Sequence, residues 1–486
     1  MKKYIFMVAA IASLYATQSC DSFLDKEPLD RLSAGQFWET KQDFDMALTA
    51  LYGHLQTPMF AAGTPDWDLI TDNGFGQHNS NGSRAIVQGD IFSSSDGYIT
   101  GVYNTCYAGI ARANIFLAQL ANYQGTALDD AAKARYEGEA RFMRAYYYYF
   151  LYACYGDVPL VTEPLTLENQ AQPKVAAAQI LETIYQDIDF AIQSLPSTSY
   201  AAGNGHLVQS SAQALKLRIL LFTGYGDNGV ANVALLTQAR DIARQLMSAG
   251  YSLANNFESV FRDNTQQNNP EIIFSVKFLA PDNATSMDQW YGDWLVASPL
   301  RSFYNAFEAG DLRRDLTVFV NEVNFNGNIH RPSNNVPTGL GLKKFLTPEL
   351  MPYGYSTQSQ QDWVMFRYAD VLLSFAEAEN EINGATTEVH NAVNAIRNRA
   401  GLDDLPGNLT KEQMRQAIRR ERRMEFAFEG QRYFDLKRWH IAEETLNSVT
   451  DGVLVYRFEE RFYHWPLPQT EIDKSNGVLV QNPDYQ

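Results

Sequence analysis

Asp129-Asp-Ala-Ala-Lys-Ala-Arg-Tyr-Glu-Gly-Glu-Ala-Arg-Phe-Met-Arg-Ala-Tyr-Tyr-Tyr-Tyr-Phe-Leu-Tyr-Ala-Cys-Tyr155 runs without a proline. Phe142, Ala145, Tyr146, Tyr149, Phe150 and Tyr152 crowd its second half. A helix that is apolar on so many faces must be nearly surrounded by protein. Working outward, three-and-four spacing of Phe44, Ala47, Leu48, Leu51, Tyr52 and Leu55 predicts a helix over Gln42–Gln56. The same pattern predicts helices over Tyr103–Ala121, Ala176–Leu195, Ser210–Thr223 and Val233–Ala249, with Gly250 in C-cap position. Helices return at Tyr368–Ile382, His390–Ala400, Lys411–Glu429 and Gln431–Ser448.

Pairs of helices of this length on short links resemble tetratricopeptide-type pairs. The expected fold is therefore mainly α, a tetratricopeptide-like helical superhelix with long loop insertions and a few short strands. It forms a single domain over residues 33–486. Two stretches break the helical pattern, residues 58–100 and 279–365, both rich in Gly, Asn, Asp and scattered aromatics. Long ordered loops in compact domains are usually functional. Glu271–Phe278 is the one convincing strand, and the Pro- and Asn-rich tail from Trp465 is expected to wrap the surface.

The chain's 486 residues are 45% hydrophobic and 13% aromatic, which excludes disorder for most of its length. A net charge of −17 argues against nucleic acid and acidic lipid surfaces. Three cysteines exclude a disulfide-built scaffold. Lys2 and Lys3 precede an apolar run from Tyr4 to Tyr15, too short to span a bilayer, which needs ~20 residues. Residues 1–19 are expected to be a secretory signal. Cys20, followed by Asp21-Ser22, resembles a bacterial lipoprotein site whose thiol is acylated. Residues 20–32 then form an extended tether, with Pro28 blocking a helix. Cys106 and Cys154 are expected to be small core hydrophobes.

The seven histidines fall in no metal-ligand spacing, and no GxSxG, Walker loop, GxGxxG or EF-hand pattern occurs. No catalytic residue, metal or cofactor is expected. Carboxylate pairs suited to sugar hydrolysis stay open, since only their spacing in space decides. The positive signals are aromatic and polar residues in the two loops. Trp67, Asp72, Asn73, Phe75 and Tyr98 lie in the first, and Trp290, Tyr291 and Trp294 in the second, with Arg301 soon after. A flat ring stacks on the C–H face of a pyranose at low entropy cost, while amides, carboxylates and Arg bond its hydroxyls. Trp290 and Trp294, four apart, share a face if that piece is helical. As a set these residues are the candidate glycan-binding surface.

Several blocks resemble the SusD/RagB family of Bacteroidetes surface lipoproteins. They are the opening Cys20–Pro28, Tyr107–Asn114, Glu137–Tyr146 continuing to Tyr155–Leu160, and Arg367–Leu373 with Ala376–Ala378. Arg419–Glu429 with Arg432–Trp439, and the tail from Trp465-Pro-Leu-Pro to Gln481-Asn-Pro483, complete the series. The resemblance implies a non-enzymatic, lipid-anchored protein at the outer-membrane surface. Such a protein captures oligosaccharide or polysaccharide and delivers it to a SusC-like TonB-dependent transporter. The RagB branch implies peptides instead, and a glycoside hydrolase is a remote alternative. The shared blocks are scaffold, and the Glu421, Glu425 and Glu429 set with Arg419, Arg422, Arg423 and Arg432 is expected to be a buried ion-pair network. Asp72-Asn73 resembles a Ser-Asp-Asn block of the family's first loop, whereas Tyr103 stands where members often carry Trp.

Overall fold

Asp129 starts the longest helix. Its carboxylate accepts from Ala132 N at 2.7 Å, satisfying one of the free amides of the first turn. The computed structural model describes residues 37–92, 94, 97–451 and 453–486. The expected signal segment, Cys20 and the tether lie outside the described residues.

The principal helices are α1 (Lys41–Leu55), α2 (Tyr98–Asn122), α3 (Asp130–Tyr155), α4 (Ala177–Ser194), α5 (Gln209–Thr223) and α6 (Val233–Met247). After a long excursion follow α7 (Tyr368–Asn383), α8 (Thr387–Arg399) and α9 (Lys411–Glu425). Neighbours in this series pack side by side from α2 through α6, and α7 then docks on α6 as though the excursion were absent. The expected mainly α, tetratricopeptide-like architecture is what the chain adopts, with its strands confined to short two-stranded pairs. No helix among the described residues is long and apolar enough to cross a membrane.

The shared sequence blocks are the joints of this array. A Cβ on Gly109 of α2 would sit 2.3 Å from the Tyr147 ring of α3, so only glycine allows that approach. Arg144 of α3 grips Asp187 of α4 through two bonds of 2.7 and 2.8 Å, and donates to Asn114 of α2 at 2.8 Å. At the other end Arg367 bonds Glu271, Glu425 and Glu429 at 2.6–2.8 Å, while Arg313 reaches Glu421 and Glu425 at 2.6 and 3.0 Å. Burial works to raise the Glu425 carboxyl, but Arg399, Arg367 and Arg313 together hold it well below the usual range. The three glutamates do form a buried ion-pair network, but with other partners than expected: they take Arg313, Arg367 and Arg399, whereas Arg422 pairs with Asp370 and Asp435, Arg423 and Arg432 pair with Asp72, and Arg419 lies over the Trp439 ring. Lys344 joins it at Glu429, 2.6 Å away, and burial pulls its ammonium down to about 8.

Helix α8 starts three residues earlier than expected, at Thr387, and α9 stops at Glu425 rather than Glu429. Three further local features differ from the sequence expectation. Helix α2 begins at Tyr98, five residues early, because Gly97 turns the chain at φ +74° and Tyr98 and Ile99 enter the core. The Gln431–Ser448 helix is split into Arg432–Arg438 and Ala442–Asn447, with His440 at φ +51° between them. The tail does not simply wrap the surface, since Trp465 and Leu467 are wholly buried. Cys106 and Cys154 are buried free thiols pushed up by burial, Cys154 to about 12, which suits inert core positions.

Candidate functional site

The two long loops meet at a pair of three-residue strands. In β1 (Gly74–Gly76) and β2 (Ala297–Pro299) the register is antiparallel, Phe75 opposite Ser298. Leu300 N to Asn73 O at 2.9 Å and Gln77 N to Val296 O at 3.3 Å extend the zip at both ends. Just before β2 the backbone makes a π-helical turn over Gln289–Asp293, in which Trp294 N donates to Gln289 O at 2.9 Å. Leu295 follows at φ +56° while fully buried. A bulky residue held there costs about 1–3 kcal/mol and persists only where packing over-determines it. With this turn in place, both Trp290 and Trp294 line one cleft.

The cleft has a volume of ≈ 710 Å³. Trp290, Trp294 and Val296 of the second loop line it together with Asp66, His78, Ser80 and Asn81 of the first, and Ser333, Asn334 and Tyr355 complete the lining. Tyr355 is 86% exposed and stands edge-on to Trp294, with centroids 5.2 Å apart at 76°. His78 Nε2 bonds Trp294 O at 2.8 Å, and Asn334 Nδ2 donates to the same carbonyl at 3.3 Å. Beneath, the Asp293 carboxylate accepts from Ser333 N and Oγ, both at 2.8 Å, which fixes the third segment. Asp66 accepts from Ser80 Oγ at 2.5 Å and from Tyr291 OH at 3.1 Å, and burial pushes it up to about 6. Asn79, Asn81 and Gly82 bend the rim at φ +53°, +50° and +72°, a conformation that asparagine and glycine tolerate best.

Of the residues expected to bind ligand, only Trp290 and Trp294 line this cleft as aromatic walls. Trp67 is 1% exposed, stacked on Trp465 at 3° and 5.9 Å, with its indole donating to Met59 O at 3.1 Å. Tyr98 packs beside it at 5.0 Å and is fully buried, and Phe75 lies under the Arg84 guanidinium at 4.9 Å. Tyr291 is also fully buried, and it acts from below by holding Asp66. These four are core: the loops that carry Trp67, Phe75 and Tyr291 fold inward over the helices, and Tyr98 opens α2 with its side chain buried. Asp72 is held by Arg432 at 2.8 and 3.0 Å and by Arg423 at 2.9 Å. The two guanidiniums overcome burial and keep its carboxyl near 2. Asn73 bridges Asp68 and Arg423, at 2.8 Å each. Arg301 is exposed but donates to Thr338 O at 2.7 Å and lies outside the cleft. Tyr355, His78 and Asn334 were missed. Tyr355 sits in Tyr353-Gly-Tyr-Ser, an aromatic polar loop of the same kind as the one that drew attention to Trp290.

Two family models cover most of the chain. One, described as the SusD family, matches residues 302–485, and the other, described as starch-binding associating with outer membrane, matches residues 22–221. The chain belongs to the SusD family. A SusD-like protein of Formosa agariphila is 24% identical over 520 residues, spanning all of both chains. A second, of Bacteroides ovatus, is 23% identical and spans all of this SusD-family chain and 92% of its own. Among solved structures, a SusD-like protein from Bacteroides fragilis superposes with a TM-score of 0.78 at 24% identity, covering 95% of this chain and all of that one. Surface glycan-binding protein A from Bacteroides thetaiotaomicron, in complex with laminarihexaose, gives 0.75 at 20% identity over 91% and 99% of the two chains. At that distance the likeness establishes the SusD fold and leaves the cleft to be read from its own residues.

Proposed function

We propose that this protein captures a glycan in the Trp290–Trp294–Tyr355 cleft and delivers it to a SusC-like TonB-dependent transporter. It does so from the outer-membrane surface, held there by a lipid on Cys20. The observation that carries the reading is the cleft's chemistry. Two partly exposed indoles and an 86% exposed tyrosine border an open groove that also carries amides and hydroxyls. Rings left in water lose the benefit of burial, so a set converging on one groove points to a ligand with apolar faces and polar edges. A pyranose has that shape. The SusD-like neighbours described as binding laminarin or laminarihexaose support the same ligand class.

Capture without cleavage is favoured because the lining carries one carboxylate, Asp66, already bonded to Ser80 and Tyr291. Acid–base hydrolysis of a glycoside needs two. Weak binding suits a protein that must also release its cargo, and millimolar to micromolar affinity is about −4 to −8 kcal/mol. Isothermal titration against a panel of plant, host and microbial polysaccharides tests the reading. Heat with one polymer, abolished by Trp290→Ala or Trp294→Ala, supports it, and silence across the panel moves the ligand class to peptides. Fractionation of cells carrying Cys20→Ala tests the anchor, with movement out of the membrane fraction as the expected outcome.

A further inference from the structure

Resting on the glycan reading above, we infer that the cleft is built for an uncharged glycan and discriminates against uronate-containing or sulfated chains. The lining contains neither Lys nor Arg, and among the described residues its polar groups are amides, hydroxyls, the His78 ring and one carboxylate. Sites that take carboxylate or sulfate place guanidinium or ammonium groups where paired hydrogen bonds can form. Here the one formally charged side chain in the lining is of the opposite kind, and Arg331, two residues before Ser333, is paired with Glu322 at 3.1 Å. Asp66 lies in the lining, and Asp293, directly behind Trp294 in the chain, holds Ser333 with both carboxylate oxygens.

The cation closest in the chain to the cleft residues of the first loop is already committed. Arg84 donates to Gly76 O at 2.8 Å and to Gln77 O, and its guanidinium covers the Phe75 ring at 4.9 Å. Its charge is spent organising the turn that presents His78 and Ser80. An anionic sugar could still stack a ring on Trp294, but its charge would leave water without gaining a partner, in a groove that already holds a carboxylate. A net charge of −17 over the chain adds a long-range field of the same sign. A neutral hexose or pentose unit meets no such penalty, since Asn81, Asn334, Ser80 and Ser333 can each give or accept a hydrogen bond to a hydroxyl.

The test titrates the protein with neutral polymers (laminarin, galactomannan, uronate-free arabinoxylan) and anionic ones (polygalacturonate, alginate, carrageenan), each at 20 and 500 mM NaCl. The expected result is binding of a neutral polymer with a Kd that changes less than two-fold between the two salts. Every anionic polymer should bind at least ten-fold more weakly at 20 mM, and the deficit should narrow at 500 mM as repulsion is screened. An anionic polymer that binds as tightly as the best neutral one overturns the inference while leaving glycan capture intact. If that binding also weakens with salt, the site must contain a cation that attracts the ligand. Silence from both kinds of polymer overturns the glycan reading, and the inference falls with it.

Discussion

Replacing Trp294 by alanine removes the ring that the structure spends most effort in presenting. A π-helical turn aims it, Leu295 is held at φ +56° behind it, and His78 and Asn334 both bond its carbonyl. Those backbone contacts survive the substitution, so the fold should too. A sugar covering the free face of a large ring buries roughly 100 Å², half of the ~200 Å² such a side chain can bury. At ~25 cal/mol per Å² that is about 2.5 kcal/mol, or a loss of affinity of roughly 60-fold. Tyr355→Ala removes a smaller ring and should cost about ten-fold by the same reasoning.

The two effects should not add. Trp294 and Tyr355 touch edge-to-face at 5.2 Å, and removing either loosens the other, so the double variant should lose less than the product of the single losses. Isothermal titration with the best-binding polymer measures all four proteins, with far-ultraviolet circular dichroism as the folding control. If both single variants fold and bind within two-fold of the parent, ligand does not contact this corner, and the reasoning from exposed rings fails.

Trp67→Ala should act on stability instead, lowering it by about 3–5 kcal/mol in chemical denaturation, because the ring is sealed between Trp465 and Tyr98. A Trp67→Ala protein of parental stability that no longer binds polymer would return this residue to the ligand surface. Arg432→Met leaves Asp72 buried with only Arg423 beside it and should cost about 3 kcal/mol, read as a lower denaturation midpoint. Asp66 is raised by burial from 3.8 to about 6, so the native protein holds its proton over that interval while the unfolded chain has lost it. Its contribution to stability therefore falls as pH rises from about 4 to about 6, by no more than about 3 kcal/mol. The stability of the parent minus that of Asp66→Asn should drop across that window, and a flat difference would show that Asp66 titrates normally.

How far the sequence could be read follows from the range of the interactions involved. The helices were legible because an apolar stripe repeats every three or four residues, and α3 and α6 begin within a residue of where their periodicity places them. Trp290 and Trp294 were legible for a similarly local reason, since four residues of helical backbone put two side chains on one face whatever else happens. Trp67, Tyr98 and Tyr291 belong to segments with no period, and absence of a period does not distinguish an exposed loop from one folded inward. What decides between them is distant. Trp67 is buried because Trp465, near the other end of the chain, stacks on it, and the first loop is drawn down by Asp72 reaching Arg423 and Arg432. The cleft itself exists only because β1 and β2, three residues each and more than two hundred residues apart, pair in one register. Strands that short leave no alternation to detect. A buried aromatic and a ligand-facing one can therefore look identical in sequence. In the folded protein they separate by what completes them: Trp67 has a ring on its face and a carbonyl on its nitrogen, whereas Tyr355 has one edge contact and is otherwise open to water.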